Sequence, residues 1–502
     1  MNEESKDTRK DPEGAHVPPK GNSKELDIKL GGEHLRYQAT SDWLVLRKDD
    51  KPLAEMFYVH YSLLGAGRED RPLTFVFNGG PGAASAYLHV GALGPKRVAF
   101  NADGSLPKPP ARLVDNAESW LAFTDLVFID PIGTGFSRVI EEPVKSGDKP
   151  TERKEDKEDK DKDFYKLSRD LESIGEFITK FLSKFNSWSR PVYIAGESYG
   201  GFRVAKLARS LQQGFGVGLS GAILISPALE IGLLEGSDYD VLQWVDVFPS
   251  MALAALHHGR SRALAQGTTL ASARAQAEAF ASNELASLLV RGEAIPEAEY
   301  RATCARAAGF LGVSEQFVFD RGGRVTRDAF VRELFRAERK ICGLYDASTL
   351  AIDPFPDRDS FQGADPTLFS VERAFTGGIN SHLREGLGLL TERDYRLLNF
   401  EANQAWKLDG RQHAFELQVG ATDDLRYGMA LNPHMRVCIM HGLYDLVTPY
   451  YSAERLSKLM RLQPSQREKL VMKHYQGGHM FYVWEQSRRE FHADMGRFFE
   501  SV

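Results

Sequence analysis

The chain has 502 residues, 42% of them hydrophobic and 11% aromatic, with a formal charge of −6. That balance belongs to a globular protein with a sizeable core, and it points away from nucleic acid and from anionic membrane surfaces as partners. No apolar run approaches the ~18 residues of a membrane span, and three cysteines, Cys304, Cys342 and Cys438, are too few for a disulfide framework.

Residues up to about Ser23 are polar and charged without periodicity and read as a disordered tail. They hold no apolar segment of the kind a signal peptide needs. With so few cysteines, the expectation is a soluble protein of the cytoplasm, or of the periplasm or exterior if a leader has been removed. From Leu26 the pattern changes: Leu26, Ile28 and Leu30 alternate with polar residues, as do Leu35 and Tyr37, and Met56 to Tyr61 is an aromatic, strand-like run. Glycine and aspartate turns separate these stretches, which predicts antiparallel hairpins at a sheet edge.

Five runs apolar on both faces follow: Leu73–Phe77, Leu126–Ile129, Val192–Ala195, Ala222–Ile225 and Val437–Met440. Each ends in a glycine-rich or polar loop, the signature of central parallel strands. Phe164, Leu167, Leu171, Ile174, Ile178, Phe181 and Phe185 recur at helical spacing between the second and third runs. The mixed charge run Lys149–Lys162 before them reads as a solvated loop. From about Leu229 to Phe400 the alternation stops; helical patterns appear over 252–289, 297–310, 327–340 and 391–407, with a loop over Asp353–Pro366. The predicted architecture is α/β, a mostly parallel central sheet flanked by helices with a helical cap insertion. Its expected division is a tail over 1–24, a first core part over 25–228, the cap over 229–400 and a second core part over 401–502.

The chemistry starts at Val192–Gly201, where a strand-like run enters Gly196-Glu197-Ser198-Tyr199-Gly200 and a helical pattern leaves it. That is the strand, sharp turn and helix of a nucleophile elbow. The pattern is short, so it needs partners. A serine requires a histidine base, and the histidine a carboxylate that holds its tautomer. In the chain order of such sheets, Ser, acid, His, Asp445 follows the strand Val437–Met440, and His479 follows the strand-like Leu470–Tyr475. His441 precedes the acid and His474 sits inside a strand pattern, so both rank below His479. The oxyanion hole needs two backbone N–H groups: Tyr199, after the nucleophile, is one, and Gly80 in the loop Asn78-Gly79-Gly80-Pro81-Gly82 is the candidate for the other. No metal-ligand cluster or cofactor motif is evident, and no cofactor is expected.

Those runs, with Asp130-Pro131-x-Gly133-Thr134-Gly135-Phe136-Ser137 and Gly477-Gly478-His479-Met480, resemble the serine carboxypeptidases of peptidase family S10, in what looks like a bacterial branch. The resemblance implies an α/β-hydrolase fold with Ser198, Asp445 and His479 as triad, Gly80 and Tyr199 as oxyanion donors, and Asn78 with Glu197 as holders of a substrate's C-terminal carboxylate. Glu197 can help only when protonated, which favours acidic pH for peptides. Met480 is a candidate contact to the leaving residue. The sequence departs from the family pattern at Ala83-Ala84-Ser85, where Cys-Ser-Ser is usual, at Ala92, where an acid is common, and at Leu443, where an aspartate is usual. The expected partners are peptides with a free C-terminus; the oligomeric state stays open, a homodimer included. An esterase or acyltransferase of the same fold is the second reading, and a non-catalytic binding protein the third.

Overall fold

Short strands that are apolar on both faces can only be satisfied in the middle of a covered sheet, and a computed structural model of the chain places them there. It describes residues 16–65, 67, 70–140, 163–234, 237–409 and 419–500. Of the polar tail expected over 1–24, residues 1–15 lie outside that range, as does the charge run 149–162; the first strand begins at Asn22.

The strands in chain order are β1 (Asn22–Leu30), β2 (Glu33–Lys48), β3 (Lys51–Leu63), β4 (Leu73–Phe77), β5 (Lys96–Val98), β6 (Leu113–Asp115), β7 (Asp125–Ile129), β8 (Arg138–Val139), β9 (Val192–Glu197), β10 (Leu219–Ile225), β11 (Lys340–Cys342), β12 (Leu350–Ile352), β13 (Arg436–Gly442) and β14 (Leu470–Tyr475). Ten form one sheet in the order β1-β2-β3-β7-β4-β9-β10-β13-β14, with β8 beside β3. The first four in that order pair antiparallel, as the alternating sequence of β1 and β2 predicts. From β7 to β14 every pair is parallel. This is the α/β-hydrolase arrangement, with the mid-sheet strands ending at the same edge.

Helices α1 (Leu167–Lys184), α2 (Tyr199–Gly214), α3 (Leu242–His257), α4 (Leu270–Phe280), α5 (Glu297–Leu311), α6 (Pro366–Ser381), α7 (Thr422–Leu431), α8 (Tyr450–Leu459) and α9 (Glu485–Glu500) complete the main frame. Two apolar cores lie on the two sides of the sheet. In one, Ile174 and Phe177 of α1, Phe202 and Leu207 of α2 and Leu425 of α7 meet the strands. In the other, Phe375 and Ile379 of α6 join Phe491 and Phe498 of α9. A third core is built by α3, α4 and α5 and closes over Leu443, Tyr444 and Leu446, the loop after β13.

The stretch expected to be a cap therefore divides. Its α3–α5 part has a core of its own, whereas α6 packs into the sheet's core. The helix expected over 391–407 is only Phe400–Ala405, opened by the Asn399 side chain, which accepts from Glu401 N at 3.1 Å. Upstream the backbone is committed elsewhere: Arg396 exchanges hydrogen bonds with Gly135 at 2.8 and 3.1 Å, and Leu397 O accepts from Ala84 N at 2.9 Å. Pairing with two loops outweighed local helical spacing.

One buried polar cluster sets a pH limit on the fold. The Tyr61 hydroxyl lies 2.7 Å from His89 Nε2 and 2.6 Å from His382 Nε2. A hydroxyl has one proton, so it donates to one imidazole and accepts from the other. Burial pushes both histidines down, His382 to about 4. A histidine whose folded value lies below its unfolded value near 6.5 contributes stability at higher pH that is lost as pH falls between those values. Replacing His382 by Gln removes that loss. In urea titrations, the stability gap between wild type and His382→Gln should shrink by about 2 kcal/mol from pH 7 to pH 5; parallel curves would contradict the assignment.

Candidate active site

The mid-sheet strands deliver their following loops to one edge, and those loops carry the predicted residues. Ser198 stands between β9 and α2 with φ 62° and ψ −124°, a conformation that costs an L-residue about 1–3 kcal/mol. Its surroundings hold it: Ser198 N donates to Ile225 O at 2.9 Å, and Ser198 O accepts from Gly201 N at 2.9 Å and Ala228 N at 3.2 Å. The constraint lifts the hydroxyl out of the sheet, and Ser198 is half-exposed while its neighbours are buried.

Asp445 and His479 arrive from the loops after β13 and β14. His479 Nδ1 donates to Asp445 Oδ2 at 2.7 Å, which leaves Nε2 as the basic nitrogen. Asp445 is fully buried, and its Oδ1 accepts from the backbone of Val447 at 2.8 Å and Thr448 at 3.0 Å. Burial works against a charged His479, but the charge and hydrogen bond of Asp445 outweigh it and hold the imidazole above its ordinary value. The rival histidines stand apart. Burial pushes His441 down to about 4 and His474 down to about 2, and no hydrogen bond joins either to Asp445 among the described residues.

The glycine loop after β4 packs directly on the elbow. A Cβ on Gly79 would sit 2.5 Å from Tyr199 N and 2.7 Å from Glu197 O, so only glycine lets the two loops touch. Gly80, at φ +96°, follows in the left-handed region. Tyr199 is the first residue of α2, and a first-turn N–H has no acceptor within its own helix.

Asn78 and Glu197 meet beside this junction, both nearly fully buried. Asn78 Nδ2 donates to Glu197 Oε2, and Asn78 Oδ1 accepts from Leu88 N at 3.1 Å, which fixes the amide's orientation. Tyr482 also donates to Glu197 Oε2, at 3.1 Å, while Oε1 has no hydrogen-bond partner. Burial pushes Glu197 up to about 7, against the opposing pull of His479 and the two hydrogen bonds. The site thus holds a carboxyl group that keeps its proton near neutrality, with one oxygen uncommitted. Met480 is buried and belongs to the apolar core on the α6 and α9 side.

Four residues escaped the sequence reading. Tyr482 follows the histidine by three positions, and nothing marks it in the sequence but its nearness to the Gly-Gly-His run. Ser226, at φ 42°, donates through its hydroxyl to His479 O at 2.8 Å and accepts at its carbonyl from Thr448 Oγ1 at 3.0 Å, so one residue after β10 ties the acid and base loops together. Arg203, a turn beyond the elbow in α2, grips Asp170 of α1 through Nε and Nη2, both at 2.9 Å, and donates from Nη1 to Asn78 O at 2.7 Å. Tyr345 lies between β11 and β12; its carbonyl accepts from His479 N at 2.5 Å, and its ring meets the imidazole edge-on at 5.4 Å.

Among known proteins, residues 33–228 match the family model described as serine carboxypeptidase. Serine carboxypeptidase-like 13 of Arabidopsis thaliana is 32% identical over 163 residues, 32% of this chain and 33% of that protein. Serine carboxypeptidase S10 family member 1 of Dictyostelium discoideum is 30% identical over 164 residues, 32% of each. The matched stretch spans about a third of the length of these curated relatives. The structure of a soluble variant of monoglyceride lipase from Saccharomyces cerevisiae aligns over 92% of this chain and 94% of that one, at 11% identity and a TM-score of 0.37.

The buried Asp170–Arg203 pair yields a stability test. Asp170→Asn leaves a buried guanidinium uncompensated, and breaking such a pair costs about 3–5 kcal/mol. The double variant Asp170→Asn with Arg203→Met should recover a large part of that loss in chemical denaturation. Equal stability of the single and double variants would show that the pair is not coupled.

Proposed function

We propose that the protein, whose residues 33–228 match the serine carboxypeptidase family model, is a serine-type carboxypeptidase, releasing the last residue of peptides through an acyl-enzyme on Ser198. That match supports a serine hydrolase. The narrower reading rests on one observation above all: a buried, proton-retaining Glu197 joined to Asn78 and Tyr482 directly before the nucleophile.

In this reading the substrate's terminal carboxylate accepts from the Glu197 carboxyl group and the Asn78 amide. The bound anion favours the proton on Glu197, because two facing carboxylates repel. Ser198 Oγ attacks the scissile carbonyl as His479 Nε2 takes its proton. The oxyanion is met by the N–H groups of Tyr199 and Gly80, oriented before the reaction starts. Collapse of the tetrahedral intermediate breaks the C–N bond, and His479 returns its proton to the departing amine. Water, deprotonated by the same imidazole, then cleaves the ester and frees Ser198. Asp445 holds the imidazole in place and stabilises the imidazolium.

Two measurements check this. Ser198→Ala should lower kcat on an N-blocked dipeptide by at least about 10³-fold; a smaller loss would remove Ser198 from the nucleophile's role. The second is the pH profile. Glu197, raised to about 7 by burial, donates below that value and repels a carboxylate above it. KM for a peptide acid should therefore climb as pH rises through about 7, and Glu197→Gln, whose amide donates at every pH, should flatten the climb. If the amidated peptide or a simple ester shows the same profile as the acid, the site does not read carboxylates and an esterase or acyltransferase becomes the better name.

A further inference from the structure

The glycine loop after β4 is held along most of its length. Asn78 O accepts from Arg203 Nη1 at 2.7 Å, Gly79 O from Ala83 N at 3.1 Å, Pro81 O from Asn403 Nδ2 at 2.9 Å and Gly82 O from Asn399 N at 2.8 Å. The Gly80 N–H, by contrast, has no acceptor among the described residues. Gly79 O and that N–H belong to one peptide plane, and in this trans peptide they point in opposite directions. The bond from Ala83 to Gly79 O therefore sets where the Gly80 N–H is aimed. Whatever holds Ala83 holds the donor.

Ala83 is held by a distant segment that runs from Leu397 to Asn403. Leu398 lies opposite Ala83 in an antiparallel bridge, flanked by the bonds from Asn399 N to Gly82 O and from Ala84 N to Leu397 O, at 2.8 and 2.9 Å. The fit is backbone against backbone: Gly82 has φ +100°, and a Cβ there would sit 2.4 Å from Asn399 O. Two side-chain amides fasten the segment. Asn399 caps the short helix Phe400–Ala405 with its oxygen, while its Nδ2 donates to Gly133 O at 2.9 Å in the loop after β7. Asn403, one turn along, gives its Nδ2 to Pro81 O and its backbone N–H to Asn399 O, the latter at 3.1 Å. The segment is thus tied to both glycine loops. Asn403 is exposed, so the fold gains little stability from its bond to Pro81.

We propose that Asn399 and Asn403 are positioning residues for the oxyanion hole, keeping the Gly80 N–H aimed at the carbonyl oxygen as it becomes an anion. This rests on Ser198 as nucleophile and Gly80 as donor, and it holds for esters as for peptides. Neither amide touches the reacting atoms. Without them the far end of the turn loosens, and the Gly79–Gly80 peptide plane must be re-ordered in each turnover before it can donate. The cost falls on the transition state, because the uncharged ground-state carbonyl asks less of the donor than the oxyanion does.

Two neutral substitutions in the full chain test this. Asn403→Ala removes a donor at an exposed helical position that favours alanine, and Asn399→Ser keeps a capping oxygen but loses the reach to Gly133 O. Each should lower kcat by about threefold to tenfold with KM unchanged, on an N-blocked dipeptide and on p-nitrophenyl acetate alike. Phenylboronic acid, whose adduct with a serine is tetrahedral and carries an oxygen into the hole, should lose affinity by a similar factor. Urea midpoints should stay close to wild type. Variants that match wild type in kcat and in boronate affinity overturn the proposal, and so does a fall in kcat that merely tracks loss of folded protein. If the ester is cut and the peptide is not, the carboxypeptidase reading fails, while the ester rate and the boronate still decide Asn399 and Asn403. A wild type that turns over neither substrate overturns both readings.

Discussion

A single guanidinium underlies the geometry of this site. Arg203 is buried in α2, forks onto the carboxylate of Asp170 and spends its remaining nitrogen on the carbonyl of Asn78. Its plane lies 4.6 Å from the centre of the Tyr199 ring, whose hydroxyl donates to the same Asp170 at 3.0 Å. Trp406, far along the chain just after the insertion, donates to that hydroxyl at 2.9 Å. One ion pair thus joins α1, the elbow, the glycine loop and a distant loop. Only arginine has the planar fork to hold a carboxylate with two nitrogens and a carbonyl with the third. The Asn78 peptide is held in this way, and Gly79 packs directly against the elbow.

The electrostatics of the site follow from withholding water unevenly. Asp445 is as buried as Glu197, yet two backbone N–H groups, the Thr448 hydroxyl and the imidazole N–H converge on it. Glu197 receives two donors on one oxygen and none on the other, so burial dominates and raises it. The two carboxyl groups thus differ in the number of donors aimed at them, four for Asp445 and two for Glu197.

The insertion is more than a cover. The turn between β11 and β12 takes the His479 N–H on Tyr345 O, receives Leu446 N on Leu344 O at 3.1 Å and gives Ala347 N to Tyr444 O at 3.0 Å. Both the acid loop and the base loop are therefore latched to a hairpin nearly a hundred residues upstream. This is why the third core, with α3–α5, closes on Leu443, Tyr444 and Leu446.

Much of this was legible in the chain itself. Runs apolar on both faces marked the parallel strands, because only a sheet covered on both sides can bury them. Ser198, Asp445 and His479 stood out because each follows such a run in a glycine-rich or polar loop, and the Gly79-Gly80 pair because close backbone approach leaves no room for a side chain. The misplaced helix over 391–399 shows the limit: its spacing was helical, but its backbone bonds were claimed by Gly135 and Ala84. Local sequence determined which residues could be nucleophile, acid and base, since strand ends and tight turns are written in hydrophobicity and glycine. Only the tertiary structure decided which groups surround them. Asp170, Ser226 and Tyr345 have no distinguishing neighbours in the sequence; their roles come from contacts across long stretches of chain, and those contacts exist only once burial has chosen which polar groups must satisfy one another.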